Sequence, residues 1–464
     1  MVNVEDIGNC EVCGEHRESG ILRHGFFASP YLPVEDVNQE ELPVTENSED
    51  SCKQSSLSPS TAVGLDERML LHAEVVMKSH PHPERPDRLR AIAAILATAG
   101  IFPAKCHSIP AREITKEELQ MVLQSAKILD FCSHIFSNFL NASILRSTLE
   151  NIEAVDITRL MLASYFTPDT YANEHSACAA RLAAGLCADL ASAIYSGRVK
   201  NGFALVRPPG HHAGVKQAMG FCLHNNAAIA ASAAEAAGAK KVLIVDWGVH
   251  HGNGTQEIFE RSKSVLYISL HRHEDGRFYP GTGAADEVGS MGAEGYCVNI
   301  PWSRGGVGDK DYIFAFEQVV LPIGVFRKQP FYLPSEDLPC CIGALDFNPD
   351  FTIISAGFDA ARGDPLGCCD VTPAGYASMT QMWSAFYNLR SISSSATAVI
   401  KVGLGESHVI DIDNIVPSKS GLRSVLDVLK IQMNFWPTLE TNFTKLHSKW
   451  GSYAFQDTTS VSLK

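Results

Sequence analysis

Val242-Leu-Ile-Val-Asp246-Trp-Gly-Val-His-His251-Gly-Asn-Gly-Thr255 is the stretch on which the fold of this chain turns. Its first four residues form an unbroken aliphatic run, the pattern of a strand buried on both faces of a parallel sheet. The polar residues that follow then sit at the carboxyl edge of that sheet, where α/β folds place their chemistry. Two other stretches share the construction. Phe203-Ala-Leu-Val206 runs into Arg207-Pro-Pro-Gly-His-His212, and Phe351-Thr-Ile-Ile354 runs into Ser355-Ala-Gly-Phe-Asp359-Ala-Ala-Arg-Gly-Asp-Pro-Leu366. The three strand ends supply paired histidines, Asp246 with His250 at i and i+4, and a further carboxylate. That is the inventory of a mononuclear metal hydrolase, spoiled at Gly248, where such a site would want a second aspartate.

Working outward, Val265-Leu-Tyr-Ile268 and Tyr296-Cys-Val-Asn-Ile300 read as two more strands. Helices are expected over 174–196, where Ala179, Leu182, Leu186, Leu190 and Ile194 recur at helical spacing, and over 225–237. Another starts at Asp311 with Tyr312, Ile313, Phe316, Val319 and Val320 on one face. Strands alternating with helices of this length predict an α/β fold, a doubly wound parallel sheet with helices on both faces. His80-Pro-His-Pro-Glu-Arg-Pro86 reads as a rigid loop, with Asp87 capping a helix from Arg88. Residues 1–65 are polar and rich in Ser, Glu and Asn, which predicts a flexible N-terminal extension. There Cys10-Glu-Val-Cys13, His16 and His24 lack the spacing of a complete zinc finger and read as incidental. Residues 66–410 are the expected globular domain, and 411–464 the expected C-terminal tail.

Composition narrows the function classes. The chain has 464 residues, 45% of them apolar, enough for one large core. Its net charge of −14, from 38 Lys and Arg against 52 Asp and Glu, disfavours direct nucleic-acid binding and favours a cationic partner such as a lysine-rich peptide. Thirteen scattered cysteines, two pairs of them vicinal (Cys340-Cys341 and Cys368-Cys369), read as reduced thiols of a nuclear or cytoplasmic protein rather than a secreted one. The first residues carry Glu5 and Asp6 and no apolar core, unlike a signal peptide. No stretch reads as the roughly 20 apolar residues of a membrane span.

His250 and Asp359 arrive from different strand ends, as ligands gathered around one ion do. A catalytic zinc wants three protein ligands and an open position for water, and two are present. On an extended strand Asp246, Gly248 and His250 share a face, so the residue between two functional side chains offers none. Asp246 lies about 7 Å back along the strand. It is better placed to orient a histidine or hold a monovalent cation than to replace the missing ligand. His211 and His212 are the acid/base candidates, each needing a partner to fix its tautomer. Asp246 and Asn253 are the candidate partners.

These residues resemble the histone deacetylase family, class II members of the plant type, over roughly 71–406 and most specifically at 207–226, 242–260, 269–283, 295–316 and 351–380. The resemblance implies an arginase-like α/β fold and a zinc-dependent hydrolase that removes acetyl groups from lysine side chains of histones or other proteins. It implies a role in transcriptional repression, with corepressor complexes as partners. Carried across, His212 is the general base and acid with His211 beside it, and His250 and Asp359 are zinc ligands. Phe221 and Tyr279 line the acetyl-lysine tunnel, Asp246 and Ser269 hold a structural potassium ion, and Tyr387 polarises the substrate carbonyl.

The chain departs from that pattern in four places. Gly248 replaces a zinc-ligand aspartate, which predicts reduced zinc affinity and impaired turnover. Only six residues separate Thr380 from Tyr387, too few for a buried strand of about five residues plus its turn. Residues 325–349 read as an insertion, and 131–164 differ from the family pattern. Two alternatives therefore stand beside the deacetylase: a silent relative that binds acetylated tails or corepressor partners, and an acetylpolyamine amidohydrolase, whose rim acids would be Glu274 and Asp275.

Overall fold

The apolar runs become parallel strands, and the side chains along them divide strictly between two faces. The computed structural model describes residues 61–74, 82–125, 165–167, 169–215, 217–324, 347–387, 393–406 and 415–455. In chain order these begin with β1 (Thr61–Gly64), α1 (Pro86–Thr98), β2 (His107–Ile109) and α2 (Lys116–Ser125). A short hairpin, β3 (Tyr165–Thr167) and β4 (Thr170–Tyr171), precedes α3 (Ser176–Tyr195) and β5 (Asn201–Ala204). Next come α4 (Asn226–Ala236), β6 (Val242–Asp246), α5 (Asn253–Phe259), β7 (Val265–Arg272) and β8 (Cys297–Trp302). Helix α6 (Asp309–Ala315) runs through a π-helical turn (Phe316–Val320) into α7 (Leu321–Gly324). The remaining elements are β9 (Phe351–Ser355), α8 (Pro373–Tyr387), α9 (Ser393–Gly403), α10 (Lys419–Gln432) and α11 (Thr438–Phe455).

Two parallel sheets result, one ordered β8-β7-β6-β9 and the other β2-β1-β5, with β3 and β4 antiparallel. Val242, Ile244, Val265 and Tyr267 pack into one cluster with the alanines of α4. Their neighbours Leu243, Val245, Leu266 and Ile268 enter another with residues of α6 and α10. Because alternate residues of a strand point to opposite faces, a sheet covered by helices on both sides must be apolar at every position. The doubly wound expectation holds. At the carboxyl edge, Asp246 stands level with Ser269 of β7 and Ser355 of β9.

Four readings need correction. The globular part begins earlier than residue 66: Thr61–Gly64 is fully buried and lies between β2 and β5. The 411–464 segment is not a tail. Leu422, Val425, Leu426 and Leu429 of α10, with Leu439 and Leu446 of α11, are buried in the main core. Burial of each such side chain contributes about 1.5–3 kcal/mol. Helix α1 starts at Pro86 after Arg85, which makes no side-chain cap; Asp87 instead pairs with Arg90 at 3.0 Å. Proline is tolerated at a first helical position because its missing N–H would have had no partner there. Helix α3 is long and apolar enough to cross a membrane, yet 61% of its most apolar window is buried inside the protein, as in a core helix. As the six-residue spacing after Thr380 implies, no strand lies between Thr380 and Tyr387; helix α8 runs through both and ends at Tyr387. Among the described residues, β5 and β9 each pair on one side only. The Cys10/Cys13 region, 131–164 and most of the 325–349 insertion lie outside the described residues.

Candidate active site

The His211–His212 dipeptide follows β5, and each ring is held by a different partner. His211 Nδ1 bonds Asp246 Oδ2 at 2.8 Å, and His212 Nδ1 bonds Asn253 Oδ1 at 2.8 Å. The two ring centroids are 4.1 Å apart. The amide nitrogen of Asn253 faces Met219 Sδ at 3.6 Å, so its oxygen is the atom that accepts from His212. Nδ1 therefore carries the proton, and Nε2 keeps its lone pair. Asp246 is further tied by the Tyr267 hydroxyl, at 3.3 Å, and by the Gly248 N–H, at 3.4 Å.

Burial, reinforced by the neighbouring imidazole of His211, pushes the His212 pKa well below its ordinary value. Burial opposes charge on His211 too, but the Asp246 carboxylate outweighs it and the pKa is raised. The pair is thus split into one neutral base and one imidazole that readily holds a proton. Close packing fixes their loop. A Cβ on Gly220, whose φ is +57°, would stand 2.4 Å from His212 Cδ2; one on Gly254 would stand 2.3 Å from the Ala213 carbonyl.

The metal side of the site is less complete. His250 stacks on Phe278 with centroids 5.0 Å apart and rings 15° from parallel, and its Nδ1 bonds the Tyr279 carbonyl at 3.0 Å. Its centroid is 5.8 Å from that of His212. Asp359 Oδ1 accepts from the Val249 N–H at 2.7 Å. A Cβ placed on Gly248 would lie 3.0 Å from Asp359 Oδ1 and 3.6 Å from Asp246 Oδ1. Position 248 therefore points at Asp359 and the Gly357 backbone, 3.3 Å away, with Asp246 just beyond. Among the described residues, no three His, Cys, Asp or Glu side chains are grouped to hold an ion. A catalytic zinc wants three protein ligands, and the residues present do not fit it.

Tyr279, 38% exposed, sets its ring edge-on to His212 at 5.2 Å. Phe221 follows Gly220, its ring meets that of His82 edge-on at 4.8 Å, and its N–H donates to Thr170 Oγ1 at 3.0 Å. Tyr387 closes α8, and its side chain lies outside the described residues. Asp246 and Ser269 are adjacent in register, but the described polar atoms of Asp246 bond His211 and Tyr267, and Ser269 Oγ bonds His271 Nδ1 at 2.9 Å. Glu274 pairs with Arg272 at 2.7 Å and Asp275 with Arg277 at 3.4 Å, so the rim acids are matched by cations.

Sequence reasoning missed the support behind this site. Arg207 donates to both oxygens of Glu84, at 2.9 and 2.8 Å, to the carbonyls of Met69 and His72, and to the Tyr171 hydroxyl at 2.9 Å. Its donors thus tie three separate segments to the residue that opens the His-His loop. Burial works against the Glu84 charge, but Arg207 holds its carboxyl below the usual range. Glu84 and Arg207 are 123 residues apart, beyond any local spacing signal. Asp169 was missed as well.

Residues 82–397 match the histone deacetylase domain family. The chain is 61% identical to histone deacetylase 15 of Arabidopsis thaliana over 97% of its own length and 74% of that protein. It is 37% identical to histone deacetylase clr3 of Schizosaccharomyces pombe, spanning 56% of it, and 36% identical to histone deacetylase HDA1 of Saccharomyces cerevisiae, spanning 52%. The crystal structure of the HDA15 HD domain superposes with a TM-score of 0.70 at 64% identity, covering 84% of this chain and 99% of that one. Coverage and identity of this order, on a site with paired histidines at a parallel-sheet edge, mean that this chain belongs to the histone deacetylase family, whose members are zinc-dependent lysine deacetylases.

Proposed function

We propose that this chain engages acetylated lysine side chains of histones or other proteins beside His212, and that its own hydrolysis of the acetyl group is limited by the glycine at 248. The observation that carries this reading is the contrast at one edge: both imidazoles have their partners, while position 248 offers no side chain where a Cβ would stand 3.0 Å from Asp359 Oδ1, 3.3 Å from Gly357 Cα and 3.6 Å from Asp246 Oδ1. Zinc, where the family binds it, supplies a polarised water. Here the residues derive only the proton handling. His212 Nε2 is the free acceptor, since burial holds that ring's pKa well below its ordinary value, and Asp246 favours the charged form of His211 against burial.

A binding role for acetylated tails within corepressor complexes, in nucleus or cytoplasm, is the second reading, favoured by the incomplete ligand set. The acetylpolyamine reading is weaker, because Glu274 and Asp275 already face arginines and leave no net negative rim for a polycation. The potassium ion at Asp246 and Ser269 rests on the resemblance alone.

Metal content and deacetylation of an acetyl-lysine peptide, measured on the unaltered chain and on Gly248→Asp, test the proposal. The unaltered chain is expected to hold well under one zinc per molecule. The variant should approach one and turn over at least about tenfold faster, since even ligand-supporting changes typically cost about 10–100-fold. Stoichiometric zinc and equal turnover in both would show that Gly248 limits nothing.

A further inference from the structure

We infer that the β3–β4 hairpin, through Asp169 and Thr170, braces both aromatic walls beside His212 and so decides which acyl groups on lysine the channel admits. One wall is Phe221. Its N–H donates to Thr170 Oγ1 at 3.0 Å, and its ring meets that of His82 edge-on at 4.8 Å. His82 is in turn fixed through Nε2 to the Asp169 carbonyl at 3.0 Å. The other wall is Tyr279, whose ring stands edge-on to His212 with centroids 5.2 Å apart and whose hydroxyl faces the Asp169 carboxylate. Asp169 Oδ1 accepts from Thr167 Oγ1 at 2.6 Å and from Thr170 Oγ1 at 2.8 Å. One hydroxyl, that of Thr170, therefore links the Phe221 backbone to the carboxylate that restrains Tyr279.

The electrostatics agree with a firm brace. Burial works against the Asp169 charge, but the hydroxyls of Thr167, Thr170 and Tyr279 and the Gly220 N–H together hold its carboxyl below the usual range. Burial first, and then Asp169, push the Tyr279 phenol above its ordinary value, so it stays a hydrogen-bond donor through neutral pH. An aromatic ring tied at both its backbone and its hydroxyl cannot swing outward to admit a longer acyl chain. In a pocket of fixed width, one methylene group is discriminated by about 10–200-fold.

The inference rests on the acyl-lysine reading of the site, and its test separates the two. Fluorescent peptides carrying lysine, acetyl-lysine, propionyl-lysine or butyryl-lysine are titrated by anisotropy against the full chain, Tyr279→Phe and Thr170→Val. Both substitutions are near-isosteric and remove one hydroxyl of the brace, and binding is read without turnover. The unaltered chain is expected to prefer acetyl over butyryl at least tenfold, and each variant to reduce that preference to under threefold. A preference unchanged in either folded variant overturns the brace, even where its melting temperature drops, since that marks a merely structural turn. Should the unaltered chain bind no acylated peptide better than the lysine control, the acyl-lysine reading itself falls and takes this inference with it.

Discussion

The two halves of the site are built to different standards. On the imidazole side, His211 and His212 have a partner each, Asp246 has three donors, and the loop that carries them is anchored through Arg207 to buried Glu84. On the side where the resemblance puts the metal, a Cβ at Gly248 would meet Asp359 at 3.0 Å and Asp246 at 3.6 Å, and the glycine offers no ligand. The difference teaches that proton handling and metal binding are separable here. The first depends on a deep hydrogen-bond network that holds its shape without an ion. The second depends on a few carboxylates whose mutual repulsion only a cation offsets, so one of them can be missing while the fold stays intact.

The harshest way to break this contrast is Arg207→Ala. Removing one partner of a buried ion pair leaves an uncompensated charge, here on Glu84, and typically costs about 3–5 kcal/mol. Urea denaturation should register that loss; a loss below about 1 kcal/mol would mean that the imidazole side is not anchored this way. Gly248→Asp sharpens the contrast from the other side. Its Cβ would sit 3.0 Å from Asp359 Oδ1, in a cluster with Asp246. Melting temperatures with chelator should therefore fall, and those with excess zinc should rise by several degrees, through about 100-fold tighter binding worth about 2.7 kcal/mol. A variant insensitive to zinc would place residue 248 away from the metal position.

Asp246→Asn should cost about 2 kcal/mol at pH 6. The sign with pH follows from His211, whose pKa is raised in the folded state chiefly by Asp246 acting against burial. The stabilisation is full below its unfolded value and is lost as pH rises through the raised one. The deficit of the variant should consequently shrink between pH 6 and pH 9 in denaturation curves; a deficit that grows would reverse the assignment. The smallest effect is that of Asn253→Ala, about 1 kcal/mol for a lost hydrogen bond. Its signature is at His212, whose Nδ1 loses its acceptor, so nitrogen NMR should show a change of tautomer population.

Much of this was legible in the chain, and the reasons are local. Val242–Val245 and Val265–Ile268 are continuous apolar runs, the pattern of a sheet covered on both faces. The residues after them had to lie at the carboxyl edge. The roles of Asp246 and Asn253 as histidine partners were readable from position, though not which served which ring. Helix α10 was also readable: Leu422, Val425, Leu426 and Leu429 fall at i, i+3, i+4 and i+7. The polar stretch before it, Asp411-Ile-Asp-Asn414, masked that periodicity. Strand β1 was lost in a Ser-rich context because four residues, Thr61–Gly64, are too short for an alternation to register.

The amino-acid order by itself determined the strand ends, the chemistry gathered there and the gap at Gly248, because each is carried by consecutive residues and by side-chain type. Only the tertiary structure decided that Glu84 closes on Arg207, that Asp169 meets Tyr279 and that the last two helices complete the core. Such contacts join residues far apart in the chain. Their energy comes from burial and from pairing charges away from water, quantities that exist only once distant segments have met.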